Sequence, residues 1–284
     1  DLTTLETTPF YAAQGAFACQ CGLVYTSAAA EMRPALCHLA PSASSIRTAF
    51  ALRRRSDAIG HHRGSHLEYI STRGEAPSLG FSDALLAGLA RDGGLYVPRE
   101  WPQFSSRDIR TMRGQSYQEI AFRVISPFVG REIADDMLRA MIDEAYATFR
   151  HPAIAPLVQS GPNSFVLELF HGPTLAFKDV AMQLHARLMD HVLAERGERA
   201  TIVGATSGDT GGAAIDAFAG RDRTDIFILF PEGRVSPVQQ RQMTSSTEAN
   251  VHALAIEGNF DDCQDIVKAM FSHGEFRDKV GLSG

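Results

Sequence analysis

The chain has 284 residues, of which 44% are hydrophobic and 21% are charged, an ordinary composition for a globular protein of about two domains. This composition excludes a wholly disordered chain, a collagen-like protein and a small framework of disulfide bonds. The formal net charge of −6 supplies no basic field for nucleic acid or an anionic membrane, and leaves a small anionic substrate open. The longest apolar run, residues 226–230, is far shorter than the roughly 20 residues that a membrane-spanning helix needs.

Residues 1–66 differ from the rest of the chain. They are rich in Ala and Ser, and they contain six Arg, no Lys and four acidic residues. Because no amphipathic period persists in this segment, we predict a poorly ordered extension, with an organellar transit peptide or translated upstream sequence as alternatives. Free thiols in a reducing cytoplasm, without a metal site, are predicted for the four cysteines, Cys19, Cys21, Cys37 and Cys263.

From residue 67 to residue 150 the sequence predicts a mainly helical domain. A short strand begins at residue 67, and a helix over 81–90 has Ser82 as its candidate N-cap. Residues 92–98 form a glycine turn that leads into an extended segment. Two amphipathic helices are predicted at 116–128 and 131–149, with Pro127 between them.

Residues 151–284 alternate between strand and helix patterns. Strands separated by helices of this length indicate a parallel sheet covered on both faces, so the predicted fold class is α/β. The segment 164–170 has the composition of a buried strand. The other predicted strands are 200–206, 225–231 and 251–258, and the predicted helices are 179–197, 210–220, 236–243 and 261–271.

A lysine stands in the turn between the strand at 164–170 and the helix that follows. Lys178 comes directly after Leu175, Ala176 and Phe177. We expect it at the carboxyl edge of the parallel sheet, where α/β proteins bind ligands. Burial there would disfavour the ammonium and make the amine available to an aldehyde. The alternative is a surface lysine at a helix start.

A second candidate site is the glycine-rich segment 203–212, which follows a strand and opens a helix. Its hydroxyls, its glycines and the free N–H groups of the helix start are suited to a phosphate or a carboxylate. It matches neither the Walker A loop nor the dinucleotide-binding glycine pattern. A tight turn without a ligand is the alternative. The residues concerned are Thr206, Ser207, Gly208, Thr210, Gly211 and Gly212.

Two further residues are weaker candidates. His171 lies close to the lysine and is a possible proton shuttle, although local hydrogen bonding in a turn explains it better. Arg241 is placed to reach an anion, although most helix arginines are simply solvated.

The two motifs together resemble threonine synthase, a pyridoxal-phosphate (PLP) enzyme of fold type II. The resemblance covers about 67–284 and is carried by several motifs in order. They are L-E-Y-I-S-T-R-G (67–74), D-G-G-L-Y-V-P (92–98), H-G-P-T-L-A-F-K-D (171–179), A-T-S-G-D-T-G (205–211), P-E-G-R-V-S-P-V-Q-Q-R-Q-M-T (231–244) and G-N-F-D-D-C-Q (258–264).

The resemblance implies a lyase that converts O-phospho-L-homoserine and water to L-threonine and phosphate, the last step of threonine biosynthesis. Lys178 matches the lysine that forms a Schiff base with pyridoxal 5'-phosphate and then serves as the base for the α-proton. Phe177 lies beside the cofactor ring, and Asp209 faces the cofactor. The residues implied for the substrate are Thr206, Ser207, Gly208 and Thr210.

The resemblance also implies segments that this sequence does not contain. Family members continue past the position of Gly284 with residues that bind the substrate phosphate and the cofactor phosphate, so we expect the sequence to be truncated and the chain alone to be inactive. Whether the protein is a monomer or a homodimer stays open. Two alternatives remain: another fold type II enzyme, such as a threonine dehydratase or phospho-lyase relative, and a non-catalytic anion-binding module.

Overall fold

The structure is a computed structural model and describes residues 67–284. The predicted extension 1–66, with three of the four cysteines, lies outside the described residues. The elements in chain order are β1 (Tyr69–Ser71), α1 (Phe81–Ala87), β2 (Tyr96–Pro98), α2 (Ser106–Thr111), α3 (Tyr117–Val129), α4 (Asp135–Ala147), β3 (Leu157–Gly161), β4 (Ser164–Leu167), α5 (Asp179–Arg196), β5 (Ala200–Ala205), α6 (Asp209–Phe218), β6 (Thr224–Pro231), α7 (Pro237–Thr244), β7 (Val251–Ile256), α8 (Phe260–Ser272), α9 (Gly274–Val280) and β8 (Leu282–Ser283).

Within the described residues, four strands form a parallel sheet in the order β7-β6-β5-β8. Side chains on successive residues of a strand point to opposite faces. Ile202 and Ile226 accordingly pack with α5 and α6 in one core cluster, whereas Val203 and Leu229 pack with α8 in another. The predicted α/β fold with a parallel sheet covered on both faces is therefore confirmed.

Helix α5 contributes to two cores. Leu184, Leu188 and Val192 recur every four residues and pack against α3 and α4, as one stripe of a helix does. Met189 and Leu193 pack against the sheet instead. Because both stripes are buried, the start of α5 is held firmly. The domain boundary predicted between 150 and 151 stays a prediction.

Two details of the helical segment differ from the sequence expectations. Ser82 is not the N-cap of α1, because the helix begins at Phe81 with Gly80 as its cap residue. The carboxylate of Glu132 accepts the N–H groups of Phe81 and Ser82 at 2.7 and 2.8 Å, and it takes over the role of a cap from a distant position. Pro127 does not separate two helices but lies inside the last turn of α3.

The prediction of a buried strand at 164–170 is wrong. Strand β4 ends at Leu167, and its four residues are exposed, Phe165 and Val166 at 51% each. It pairs with β3, which the sequence did not predict, in a two-stranded sheet. An apolar run indicates a strand, but its burial depends on what packs against it. None of the helices between residues 67 and 284 has the length and apolar character of a membrane span.

Candidate active site

The side chain of Lys178 occupies a partly desolvated position. Lys178 is the N-cap residue of α5, and its ammonium lies 4.6 Å from the centre of the Phe177 ring. Burial lowers the pKa of Lys178, and the carboxylate of Asp209 partly opposes that shift. No carboxylate in residues 67–284 forms a salt bridge with Lys178. The amine is therefore easier to deprotonate than that of an exposed lysine.

The position of Lys178 relative to the strands of the parallel sheet differs from the expectation. The preceding strand β4 is not part of the four-stranded parallel sheet, so Lys178 does not follow one of its strands. Lys178 instead interacts electrostatically with Asp209, which begins α6 just beyond the end of β5. The two candidate motifs of the sequence are thus brought near each other.

The turn before Lys178 has a constrained backbone. Leu175 has a φ of 66°, a left-handed conformation that side chains other than glycine rarely adopt. Thr174 donates its N–H and its hydroxyl to the carboxylate of Asp179, at 2.9 and 2.6 Å. Such strain persists only where the surroundings determine it, and it is concentrated at functional sites.

Thr206 organises the loop that leads into α6. It is 3% exposed, and its hydroxyl oxygen accepts the N–H groups of Gly208 and Gly211, at 2.9 and 3.0 Å. These two hydrogen bonds hold the loop between β5 and α6 in its conformation. The substrate-binding role implied for Thr206 stays a prediction.

The remainder of the loop presents polar groups at the start of α6. Ser207 and Thr210 are half-buried and Asp209 is exposed. The N–H groups of Asp209 and Thr210 belong to the first turn of the helix, where the backbone leaves donors without a helical acceptor and the dipole favours an anion. This arrangement can bind a carboxylate.

Helix α7 connects the two motifs, a connection that the sequence reasoning missed. The Gln239 side chain donates to Asp209 Oδ1 at 2.5 Å, and the Gln242 side chain donates to the carbonyl of Thr174 at 3.0 Å. The spacing of three residues places both glutamines on one face of the helix, and this was the only signal available in the sequence.

The weaker candidates do not join this arrangement. His171 Nε2 lies 2.8 Å from Glu168 Oε2, and its ring packs against those of His151 and Phe170. Local bonding in a turn thus accounts for His171. Arg241 is exposed on α7.

Comparison with known proteins gives a consistent result. Residues 68–146 match the family model described as threonine synthase N terminus. The threonine synthase of Pseudomonas aeruginosa is 58% identical over 210 residues, which are 74% of this chain and 45% of the relative. That of Schizosaccharomyces pombe is 47% identical over 224 residues, 76% of this chain and 44% of the relative.

A solved structure has the same fold over the matched part. The crystal structure of PLP-bound threonine synthase from Brucella melitensis superposes with a TM-score of 0.72 and 72% identity, covering 77% of this chain and 47% of that one. The chain spans about half the length of the relatives it matches. Over the residues that these comparisons cover, the chain is similar to threonine synthases in both sequence and fold.

Proposed function

We propose that the protein carrying this chain is a PLP-dependent threonine synthase, which converts O-phospho-L-homoserine and water to L-threonine and phosphate. The observation that carries this proposal is the partly desolvated amine of Lys178 beside an anion-binding loop at the start of α6. The family relationship supports the choice of substrate, because a desolvated lysine by itself fits many PLP enzymes.

The described residues fit the aldehyde end of pyridoxal 5'-phosphate. A lowered pKa provides Lys178 with the neutral amine that attachment to an aldehyde requires. The exposed ring of Phe177 offers an apolar surface next to that amine, and Asp209 offers a carboxylate. When bound, PLP supplies an electron sink that makes the proton beside the substrate's amino group acidic.

The residues of the chain would have separate roles in the reaction. Lys178, as a neutral amine next to the cofactor, would accept and return protons. Ser207, Gly208 and Thr210, with the first N–H groups of α6, would bind the substrate carboxylate. Thr206 would hold this loop in shape through its two accepted hydrogen bonds.

Lys178→Arg tests the proposal in the protein that carries the chain. A guanidinium does not form the covalent bond to the aldehyde, so we expect no absorbance of a lysine-bound cofactor, no borohydride-fixed label and no phosphate release. The chain has three lysines, Lys178, Lys268 and Lys279, and Lys268→Arg is the matched control because its side chain is exposed.

The result that would contradict the proposal is near-normal phosphate release by Lys178→Arg, or a label on Lys268 instead. Deamination of threonine without phosphate release from O-phospho-L-homoserine would indicate a dehydratase. Binding of PLP without turnover of either substrate would indicate a non-catalytic module.

We further propose a cytoplasmic location, since Cys263 is a free, buried thiol.

A further inference from the structure

Lys178 and Asp179 are neighbours in the sequence with opposite charges, yet no salt bridge joins them among residues 67–284. Lys178 is half-buried, whereas Asp179 is 0% exposed. A carboxylate free to approach the amine would stabilise the ammonium form and keep the amine protonated. What holds the carboxylate of Asp179 away therefore matters to the chemistry of Lys178.

The carboxylate is held by the turn that precedes it. Thr174 donates its hydroxyl to Oδ1 at 2.6 Å and its N–H to Oδ2 at 2.9 Å. Gly172 makes room for this arrangement, since a Cβ there would lie 2.4 Å from the Cβ of Asp179. Thr174 is itself held by α7, because Gln242 donates to its carbonyl.

The charged groups of α6 show that the two side chains face different surroundings. Asp209, at the start of α6, is the carboxylate that acts on Lys178. Asp216, two turns further on, is the carboxylate that acts on Asp179. Burial raises the pKa of Asp179, and the hydrogen bonds from Thr174 oppose that rise.

We propose that Thr174 is a positioning residue that keeps the Asp179 carboxylate turned away from Lys178 and thereby leaves the amine free to react. Without the Thr174 hydroxyl, the buried carboxylate of Asp179 lacks one of its hydrogen bonds. An interaction with the Lys178 ammonium would compensate for this loss. The inference rests on the proposed role of Lys178, but it concerns the acidity of one amine and does not require turnover.

Reductive methylation of the cofactor-free protein with formaldehyde, followed at each lysine by peptide mass spectrometry across pH, measures that acidity directly. Lys268 and Lys279 serve as references within the same molecule. Thr174→Val should move the Lys178 profile upward by about one pH unit, the lower end of the effect of an adjacent opposite charge. Thr174→Ser keeps the hydroxyl and should stay close to the wild type. Thr148→Val is the matched control, because it removes a hydroxyl that donates to a backbone carbonyl from an exposed residue at the end of α4.

Two further variants separate a charge effect from a loosened turn. Asp179→Asn added to Thr174→Val should reverse the shift, because no carboxylate is left to stabilise the ammonium. Asp179→Asn alone should leave the Lys178 profile near the wild type, since the carboxylate already faces away. This second measurement also keeps the proposal testable if Thr174→Val does not fold.

The possible results are distinct. An unchanged Lys178 profile in folded Thr174→Val, a shift that Asp179→Asn does not reverse, or a clear downward shift in Asp179→Asn alone would overturn the inference. If wild-type Lys178 titrates in the same range as Lys268 and Lys279, the proposed function loses its basis, whatever Thr174 does.

Discussion

At the scale of single residues, Thr206 illustrates how one hydroxyl shapes the candidate active site. Its oxygen accepts two buried N–H groups, from Gly208 and Gly211, in the loop between β5 and α6. The side chain is 3% exposed, so water does not readily replace it. The loop therefore depends on Thr206 for its shape before any ligand arrives.

Thr206→Val should lower the free energy of unfolding by about 2–4 kcal/mol, because two buried donors lose their acceptor. Urea denaturation measures the change. Thr206→Ser retains the oxygen and should lose much less, and Thr148→Val controls for the loss of a hydroxyl that only donates, to the carbonyl of Ala145. A larger loss in the serine variant than in the valine variant would contradict this expectation, because it would show that packing of the methyl group, rather than hydrogen bonding, dominates at this position.

Gly208 is required for a different reason. Its φ is 148°, and a Cβ there would lie 2.4 Å from Cδ of Gln239, the residue that also bonds Asp209. Gly208→Ala should therefore both strain the backbone and displace Gln239. Gly114 has a φ of 78° and no atom within 4 Å of the corresponding Cβ, so Gly114→Ala isolates the backbone cost.

We expect Gly114→Ala to cost about 1–2 kcal/mol of stability, the penalty of the left-handed region. Gly208→Ala should cost more, and it alone should weaken binding of the substrate carboxylate. A loss at Gly208 no larger than that at Gly114, with unchanged substrate affinity, would contradict the close packing of Gln239 on the loop.

At the scale of elements, α1 shows that a helix start can depend on a distant residue. The carboxylate of Glu132, about 50 positions away, accepts the N–H groups of Phe81 and Ser82. It also supplies a negative charge at the positive end of the helix dipole. The serine that fits the local pattern for an N-cap is buried inside the first turn instead.

Glu132→Ala should destabilise the protein by about 1–3 kcal/mol, because two hydrogen bonds to a charged acceptor are lost at once. Ser82→Ala should cost clearly less, since the serine does not cap the helix. Chemical denaturation of both variants provides the comparison. A larger loss of stability in Ser82→Ala than in Glu132→Ala would show that the serine, and not the glutamate, caps the helix.

At the scale of the whole molecule, α5 joins two cores, and a half-buried histidine lies on it. The His185 ring packs edge-on against Phe218, with the ring centres 6.0 Å apart. Burial lowers the pKa of His185 to about 4, well below its ordinary value of 6.5. The native state thus holds the neutral imidazole.

The protonation of His185 in the unfolded chain determines how the stability of the native state depends on pH. Between pH 6.5 and about 4 the unfolded chain binds a proton at this histidine and the native state does not, so stability falls as the pH falls through this window. His185→Gln should make stability less dependent on pH there, as measured by the unfolding free energy at several pH values. Comparison above pH 7, where the histidine is neutral in both states, controls for packing. An equally steep decline in both proteins would contradict this account.

Much of the fold follows from local information in the sequence. Hydrophobic periodicity and capping patterns act over a few residues, so they predicted α5 to α8 and the central strands β5 to β7 to within about two residues. Ordered motifs such as 171–179 and 205–211 likewise pointed to the family that the comparisons support. The apolar residues before Lys178 left both a desolvated and a surface lysine open, and burial lowers the pKa of Lys178 in the structure.

Only the tertiary structure decided which distant groups meet. The capping of α1 by Glu132, the exposure of β4 and the contacts of Gln239 and Gln242 with the two motifs join positions tens of residues apart. The burial of Asp179 and its hydrogen bonds from Thr174 are equally a result of packing. Local patterns specify a helix or a strand, whereas burial and long-range hydrogen bonds depend on how those elements pack. A single sequence carries no local signal for such packing.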